Sequence, residues 1–264
     1  MKSILKLAVI ALAVLVSSCG KSDDNTTKTV TDGTVNIVGG KHFPKKEIWF
    51  KGSEKEETTY EVVNGRITKE IYKFTGSNRT KEIVTIYQYE GNLLKRKLNE
   101  KGNVTDEYTY SNGKLTKLVA DKETFEYEYD NKGRLNKVTA YSNINDKHIS
   151  KLEYISDSVI KETKSNGNVI TYTVSNGNLM KSEERKGMFT YEYDNKNNWK
   201  HNDFFKTIEP DYFLDSDYSR NNTIKYSYNG NEGNIESTYN IEYNSAGYPI
   251  KITSSEGTVI QYEY

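Results

Sequence analysis

The residue types that most often catalyse reactions or bind metals are few in this chain and far apart. Its three histidines are His42, His148 and His201, and none has a second metal ligand at a usable spacing. The sequence contains no glycine-rich phosphate loop, Gly-x-Ser-x-Gly elbow or His-Glu-x-x-His motif. Carboxylates are abundant, but most alternate with aromatic residues, which is typical of the solvated face of strands. We therefore predict no enzyme activity, no metal and no cofactor.

One acidic segment has oxygen ligands at a spacing found in calcium loops. Asp215, Asp217 and Ser219 occupy the first, third and fifth positions of such a loop. Arg220 follows where the loop needs glycine, and Tyr226 stands where it needs glutamate. The pattern is therefore incomplete, and we predict that this segment does not bind calcium.

The only cysteine, Cys19, follows a segment ordered like a lipoprotein leader. A basic start precedes an apolar run from Leu7 to Val16, which spans roughly 15 Å as a helix, about half of a bilayer core. The run ends in the residues VSSC, which resemble the lipobox of bacterial lipoproteins. We predict a signal peptide at residues 1–18, cleavage before Cys19, and acyl chains on this cysteine that anchor the protein to a membrane.

Residues 19–45 are then the lipidated cysteine and a polar tether, which is too poor in apolar residues to pack. Within the tether, Ser22-Asp23-Asp24 resembles the acidic export signal of surface lipoproteins in the Bacteroidetes group. This resemblance implies an outer-membrane lipoprotein displayed on the cell surface.

Tyrosine spacing dominates the remaining chain, residues 46–264. Tyrosines two residues apart share one face of a strand. Such pairs are Tyr87/Tyr89, Tyr108/Tyr110, Tyr127/Tyr129, Tyr191/Tyr193, Tyr226/Tyr228 and Tyr262/Tyr264. The residues between and beside these tyrosines, such as Glu128 and Glu126, are often charged or polar. We expect the tyrosines to face a core and the charges to face solvent.

Asn-Gly dipeptides separate many of the tyrosine segments and suit the type I′ turn of a two-residue hairpin. They stand at Asn64-Gly65, Asn112-Gly113, Asn166-Gly167, Asn176-Gly177 and Asn229-Gly230. At about ten residues per strand and turn, the domain holds on the order of twenty strands, more than an open twisted sheet usually contains. The sequence predicts an all-β fold, a long antiparallel meander of tyrosine-rich hairpins rolled into a water-soluble barrel-like or two-layer sheet.

Residues 127–138 read YEYDNKGRLNKV, which resembles the YD repeat of bacterial Rhs-type proteins. Looser copies occupy residues 191–200 and 239–252. A lipobox followed by such hairpins resembles a family of uncharacterised Bacteroidetes lipoproteins described as having a porin-like fold. The resemblance covers roughly residues 46–264 and implies a structural repeat. It carries no catalytic residue to this chain.

An aromatic insert at residues 198–222 breaks the repeat. It contains Trp199, Phe204, Phe205, Tyr212, Phe213 and Tyr218. So many rings cannot all face water. They either plug the interior of the rolled sheet or form a ligand-binding surface; we expect Trp199, Phe204, Phe205 and Phe213 to pack against strand tyrosines, and we keep all six as candidate binding residues.

Three functions are compatible with these observations. The first is a non-catalytic envelope lipoprotein whose β domain binds a glycan or another envelope protein, since aromatic rings on a rigid sheet suit both partners. The second is a purely structural envelope lipoprotein, and the third is a glycan-active hydrolase with two facing carboxylates. Nucleic acid is not an expected partner, because the chain balances 37 basic residues with 37 acidic ones.

Substituting Cys19→Ala should abolish incorporation of a labelled fatty acid and misplace the protein, because the thioether needs the cysteine sulfur. Labelling of the whole protein in growing cells, followed by fractionation, measures both effects. A chain that still incorporates fatty acid after the substitution would contradict the lipoprotein prediction.

Overall fold

The computed structural model describes residues 42–77, 79–143, 146–231 and 233–264. The predicted signal peptide, Cys19 and the tether as far as residue 41 lie outside the described residues. The strands are β1 (Lys46–Lys51), β2 (Glu54–Val63), β3 (Arg66–Gly76), β4 (Arg79–Glu90), β5 (Leu93–Asn99), β6 (Val104–Ser111), β7 (Lys114–Ala120), β8 (Glu123–Tyr129), β9 (Leu135–Asn143), β10 (Asp146–Tyr154), β11 (Val159–Lys164), β12 (Val169–Ser175), β13 (Asn178–Glu184), β14 (Gly187–Tyr193), β15 (Thr223–Gly230), β16 (Gly233–Tyr243), β17 (Pro249–Ser254) and β18 (Val259–Glu263).

Each strand pairs antiparallel with the next along the chain, and β1 also pairs with β18. In the closing pair, Lys46 lies opposite Glu263 and Phe50 opposite Val259. The sheet is therefore a closed 18-stranded antiparallel barrel. This confirms the all-β meander and selects the barrel over the two-layer alternative. Closure removes the unpaired edges that an open sheet of this width would expose.

Among the described residues, the one α-helix lies in the insert between β14 and β15. Helix α1 (Asp203–Ile208) is capped by the Asn202 side chain, which accepts a hydrogen bond from the Phe205 backbone N–H. Two 3-10 turns follow, at residues 212–214 and 216–218. A six-residue helix is too short to show a helical period in the sequence. Within the described ranges, none of these helices has the length and apolar character that crossing a bilayer requires.

Three of the five Asn-Gly dipeptides form the predicted turns, with both residues in the left-handed region. Asn64 and Gly65 have φ of 51° and 73°, and the pairs at 112–113 and 176–177 are alike. The prediction is wrong for Asn166-Gly167, where only the glycine has a positive φ, and for Asn229-Gly230, which lies inside the β15–β16 ladder opposite residues 233 and 234. Gly230 is needed there for another reason, because a Cβ on it would overlap the Tyr228 ring.

The longer turns use an acidic or amide side chain to hold the loop. In the YEYDNKGR segment, Asp130 Oδ1 accepts hydrogen bonds from the backbone N–H of Lys132 at 2.9 Å and of Arg134 at 2.8 Å. Gly133 completes the turn at φ 78°. Asn99 and Asn244 hold their loops in the same way. The aspartate of the tyrosine-aspartate motif is therefore a turn residue.

A tyrosine at the end of several strands, in every case but Tyr154 the second of a Tyr-x-Tyr pair, links its strand to the preceding hairpin. Its hydroxyl donates to the backbone carbonyl of a buried residue at the start of that hairpin's return strand, and we call these residues latch tyrosines. The five donor–acceptor pairs are Tyr89 to Ile67, Tyr129 to Leu115, Tyr154 to Leu135, Tyr193 to Leu179 and Tyr264 to Pro249. A register shift precedes Tyr89, Tyr129 and Tyr193. Such a bulge bends the strand and redirects the ring.

The outer face of the barrel carries ion pairs between strands, as the alternation predicted. Directly opposed pairs are Glu61–Lys69, Lys73–Glu82, Arg96–Glu107, Glu128–Lys137 and Glu242–Lys251. Exposed pairs of this kind each contribute about 0–1 kcal/mol, so their main effect is to keep the outer face polar.

Some charges face the interior, and for these residues the prediction that charges face solvent is wrong. Glu70 and Glu162 accept hydrogen bonds from the hydroxyls of Tyr87 at 2.7 Å and Tyr172 at 2.8 Å. Lys97 lies opposite Asp106 on the same inner face, and its ammonium is 5.4 Å from the centre of the Tyr87 ring. Tyrosine supplies both a hydrogen-bond donor and a π face, so a tyrosine-lined interior can hold charges that an aliphatic core would exclude.

Replacing a latch tyrosine should test whether its hydrogen bond stabilises the barrel. Tyr129→Phe leaves the buried Leu115 carbonyl without its donor and should lower the free energy of unfolding by about 1–3 kcal/mol. Tyr110→Phe is the matched control. The Tyr110 hydroxyl is buried and finds no partner in the described part of the chain, so its removal should leave the stability unchanged or raise it.

Urea unfolding of both variants, followed by tyrosine fluorescence and circular dichroism, measures this difference. Equal losses from the two substitutions would show that the hydroxyls of the latch tyrosines do not stabilise the barrel.

Candidate ligand site in the barrel lumen

The insert leaves the barrel at a turn that begins like the other tyrosine-aspartate turns. Asp194 follows Tyr193, as Asp130 follows Tyr129, and its Oδ1 accepts from the Lys196 N–H at 2.9 Å. The position of the turn glycine is taken by Asn197. The same carboxylate also accepts from the backbone N–H of Asn222 and from the Tyr243 hydroxyl. Asp194 therefore joins the two ends of the segment 194–222, which we call the plug.

The first part of the plug packs into the barrel end where the chain enters. Trp199 is only 4% exposed. Its ring centre lies 5.3 Å from that of Phe43, 6.5 Å from Tyr60 and 5.9 Å from Tyr262. Phe43 precedes β1, so the entering chain and the plug fill the same end of the barrel, which we call the plugged end.

The remaining aromatic residues extend this packing around the wall. Phe204, 1% exposed, contacts Tyr87 of β4 at 6.3 Å between ring centres, and Phe213 contacts Tyr154 of β10 at 6.4 Å. The prediction that Trp199, Phe204 and Phe213 pack against strand tyrosines is confirmed. Phe205 differs, because the rings in contact with it belong to the plug.

Phe205 lies 5.9 Å from Trp199, 5.4 Å from Phe204 and 5.5 Å from Tyr218, between ring centres. Tyr212 packs edge-on against Phe213 at 5.7 Å. Of the six candidate binding residues, Trp199 lines the cavity described next, and the other five are used in packing the plug. A binding role for any of the six stays a prediction.

A cavity of about 180 Å³ lies on the lumen side of the plug, against the inner face of β14–β18. Its wall consists of tyrosines, aliphatic residues and one threonine, and its floor is formed by polar residues of the plug together with Trp199. The wall residues are Tyr191, Thr223, Tyr226, Tyr239, Pro249, Ile252, Ile260 and Tyr262. The floor residues are Asn198, Trp199, Lys200, Ser216, Asp217 and Asn222.

The floor of the cavity carries Lys200, whose ammonium is attracted by two carboxylates. The Lys200 ammonium is 3.4 Å from Asp217 Oδ2. Burial opposes its charge, but the attraction of Asp217 and Glu47 outweighs this effect and raises the pKa of Lys200. Burial raises the pKa of the Glu47 carboxyl, although Lys200 lowers it. Glu47 lies opposite Tyr262 in the β1–β18 pair, so it faces the same part of the lumen.

The wall tyrosines present their rings to the cavity in a fixed arrangement. Tyr226 and Tyr239, on adjacent strands, lie 6.3 Å apart between ring centres. Both are half-buried, and burial raises the pKa of Tyr239 to about 12. Neutral phenols at all ordinary pH values can therefore offer ring faces and hydroxyls to a ligand.

Sequence reasoning missed Glu47, Lys200, Asp217 and Tyr239 as site residues. Tyr239 stands alone rather than in a Tyr-x-Tyr pair, and Lys200 looks like any surface lysine. Asp217 had drawn notice for calcium, but within the described ranges no group of three metal ligands converges. The Asp215 side chain accepts instead from the Asp217 backbone N–H at 2.9 Å, as a helix cap.

His201 makes the stability of the folded protein depend on pH, and the direction of its pKa shift sets the direction of this dependence. Its Nδ1 donates to the Tyr218 carbonyl at 2.8 Å. Burial lowers the pKa of His201 below its ordinary 6.5, with help from the positive charges nearby, and outweighs the hydrogen bond to Tyr218 and the charge of Asp203, which both raise it. The unfolded chain therefore binds a proton more readily, and the stabilisation is complete above pH 6.5 and lost as the pH falls below it.

We expect the thermal unfolding midpoint to fall more steeply between pH 7 and pH 5 in the native protein than in His201→Gln, since glutamine does not titrate. Calorimetry of both proteins over this range measures the difference, and carboxylates common to both cancel in the comparison. Identical pH profiles would contradict the assignment.

No protein-family model and no curated protein matches the chain. Among solved structures, it is similar to a porin-like protein from Bacteroides uniformis, at 12% identity and a TM-score of 0.49, over 83% of this chain and 96% of the other. It is also similar to a porin-like protein from Bacteroides vulgatus, at 12% identity and a TM-score of 0.37, over 84% of this chain and 98% of the other.

Proposed function

We propose that the protein is a non-catalytic binding protein of the bacterial cell envelope, anchored through Cys19, whose barrel lumen captures the end of a glycan. One observation carries the proposal: the plug leaves a cavity of about 180 Å³ with an aromatic wall and a charged, amide-rich floor. Surface attachment rests on the lipobox and the acidic tether.

The arrangement favours binding over a purely structural role because the plug does not use all of the tyrosines. Tyr60, Tyr87 and Tyr154 contact the plug and serve as core. Tyr226 and Tyr239 contact one another and line the cavity. A core optimised only for stability would fill such a space, since empty volume costs packing energy.

The composition of the cavity suits a sugar ring. Pyranose rings have apolar C–H faces that pack on aromatic side chains and hydroxyl groups at the edge that need hydrogen-bond partners. Here the tyrosines supply the faces, and the side chains of Lys200 and Asp217 supply the partners. The volume is smaller than the roughly 300–1,000 Å³ of sites for drug-sized ligands, which points to a single ring.

The position at which the chain enters the barrel supports one orientation of the barrel relative to the membrane. His42 stacks on Tyr248 at 4.6 Å, and Phe43 and Pro44 are buried at the plugged end. A tether leading from this point to Cys19 would hold the plugged end towards the membrane. The opposite end of the barrel would then face the medium, where envelope or foreign glycans are available.

Substituting Tyr239→Ala should weaken glycan binding by at least about tenfold, because a stacked aromatic ring contributes about 1–3 kcal/mol in comparable recognition. Tyr141→Ala is the matched control, since Tyr141 lies on the outer face and donates to Glu126. Calorimetry with oligosaccharides selected on a glycan array measures the affinity, and chromatography of the recovered sugar tests whether it is intact.

Equal affinities of the two variants would contradict the lumen site. A cleaved sugar would favour the hydrolase alternative, and the absence of binding to any glycan would favour a structural role.

A further inference from the structure

We infer that the cavity selects a sugar ring bearing a free primary ammonium group, an amino sugar, and that Asp217 is the residue that recognises the ammonium. This inference rests on the proposed function and specifies the ligand class of the same cavity. It follows from three observations: the presentation of Asp217, the balance of charge around the cavity, and the aromatic wall.

The backbone of Asp217 is fixed while its carboxylate is accessible. Its carbonyl accepts from Asn198 Nδ2 at 2.8 Å, and its N–H donates to Asp215 Oδ1 at 2.9 Å. The side chain is 69% exposed and lines the cavity. Its Oδ2 already accepts from the Lys200 ammonium at 3.4 Å, but an ionised carboxylate has further acceptor positions and can form a second charge-assisted hydrogen bond with a ligand.

The charges around the cavity favour a cation over an anion. Two carboxylates, Glu47 and Asp217, face one ammonium, that of Lys200, and Asp217 also acts electrostatically on Tyr239 and Tyr262. Further along the inner face, the carboxylates of Glu70 and Asp106 both act electrostatically on Lys97. An anionic sugar would have to approach Lys200 against both carboxylates and would displace its contact with Asp217.

The wall tyrosines strengthen this preference. The face of a tyrosine ring carries negative potential and attracts a cation placed within about 6 Å of its centre. The barrel already uses this contact, because Lys97 lies 5.4 Å from the Tyr87 ring centre and Arg134 lies 4.0 Å from that of Tyr154. Tyr226 and Tyr239 offer the same surface to a ligand.

The test compares glucosamine, N-acetylglucosamine, glucose and glucuronic acid as probes, titrated into the full protein at a pH at which the amine is protonated. We expect glucosamine to bind at least about tenfold more tightly than glucose, as a charge-assisted hydrogen bond provides, and glucuronic acid to bind most weakly. Asp217→Asn should remove the preference for glucosamine and keep the affinity for glucose. Asp157→Asn, at an exposed turn, is the matched control and should change neither affinity.

The outcomes are distinguishable. If glucose and glucosamine bind equally, or if Asp217→Asn keeps the preference, the inference is overturned and the proposed function stands. If none of the four sugars nor any oligosaccharide binds, the proposed function fails and the inference fails with it. Unchanged thermal midpoints of both variants show that the affinities report on the site rather than on folding.

Discussion

The structure depends on one repeated contact, which a tyrosine on the inner face of the sheet makes with the hairpin before it. The ring covers apolar surface of the hairpin before it, and its hydroxyl donates to that hairpin's buried carbonyl, as Tyr129 does to Leu115. Apolar burial alone would tolerate sliding of one strand past another. A hydrogen bond from the end of the ring to a fixed carbonyl has a geometry that only one register satisfies. Repetition of this contact, at Tyr89, Tyr154, Tyr193 and Tyr264, turns a series of hairpins into a barrel of defined register.

The same choice of residue shapes the interior. A barrel of about eight strands has an interior that its own side chains just fill. An 18-stranded barrel is much wider, so its side chains cannot fill it. The plug fills one end with Trp199, Phe204 and Phe213, which pack against rings already fixed by the sheet. Tyr193, the latch tyrosine next to Asp194, fixes the end of β14, after which the plug begins. The repeat and the plug therefore join at Tyr193 and Asp194.

Tyrosine also makes the lumen chemically permissive. Its hydroxyl bonds to Glu70 and Glu162, and its π face lies near Lys97, so charged groups persist in positions that most cores exclude. The cavity between the plug and β14–β18 likewise combines tyrosines with charged groups. An aromatic wall over a charged floor recognises ligands that are themselves half apolar and half polar, which is why we favour a sugar ring for this site.

The sequence by itself determined the class of the fold and much of its local geometry. Tyr-x-Tyr spacing placed rings on one face, Asn64-Gly65 and its equivalents gave type I′ turns, and the aromatic content of residues 198–222 required burial. These features depend on neighbours within a few residues, so the period of the pattern reveals them. The sequence could not separate a true turn at Asn176-Gly177 from a ladder position at Asn229-Gly230, because that difference lies in which strand passes alongside.

Only the tertiary structure decided that the sheet closes between β1 and β18, and that Lys200 lies near Glu47 and Asp217 at the cavity that Tyr239 lines. These residues come from the first strand, the plug and the sixteenth strand, which are almost two hundred residues apart in the chain. Their meeting depends on the curvature summed over all the strands and on the path of the plug, to which each residue contributes a small part. No local pattern encodes such a sum, so the site could be found only after the barrel had closed.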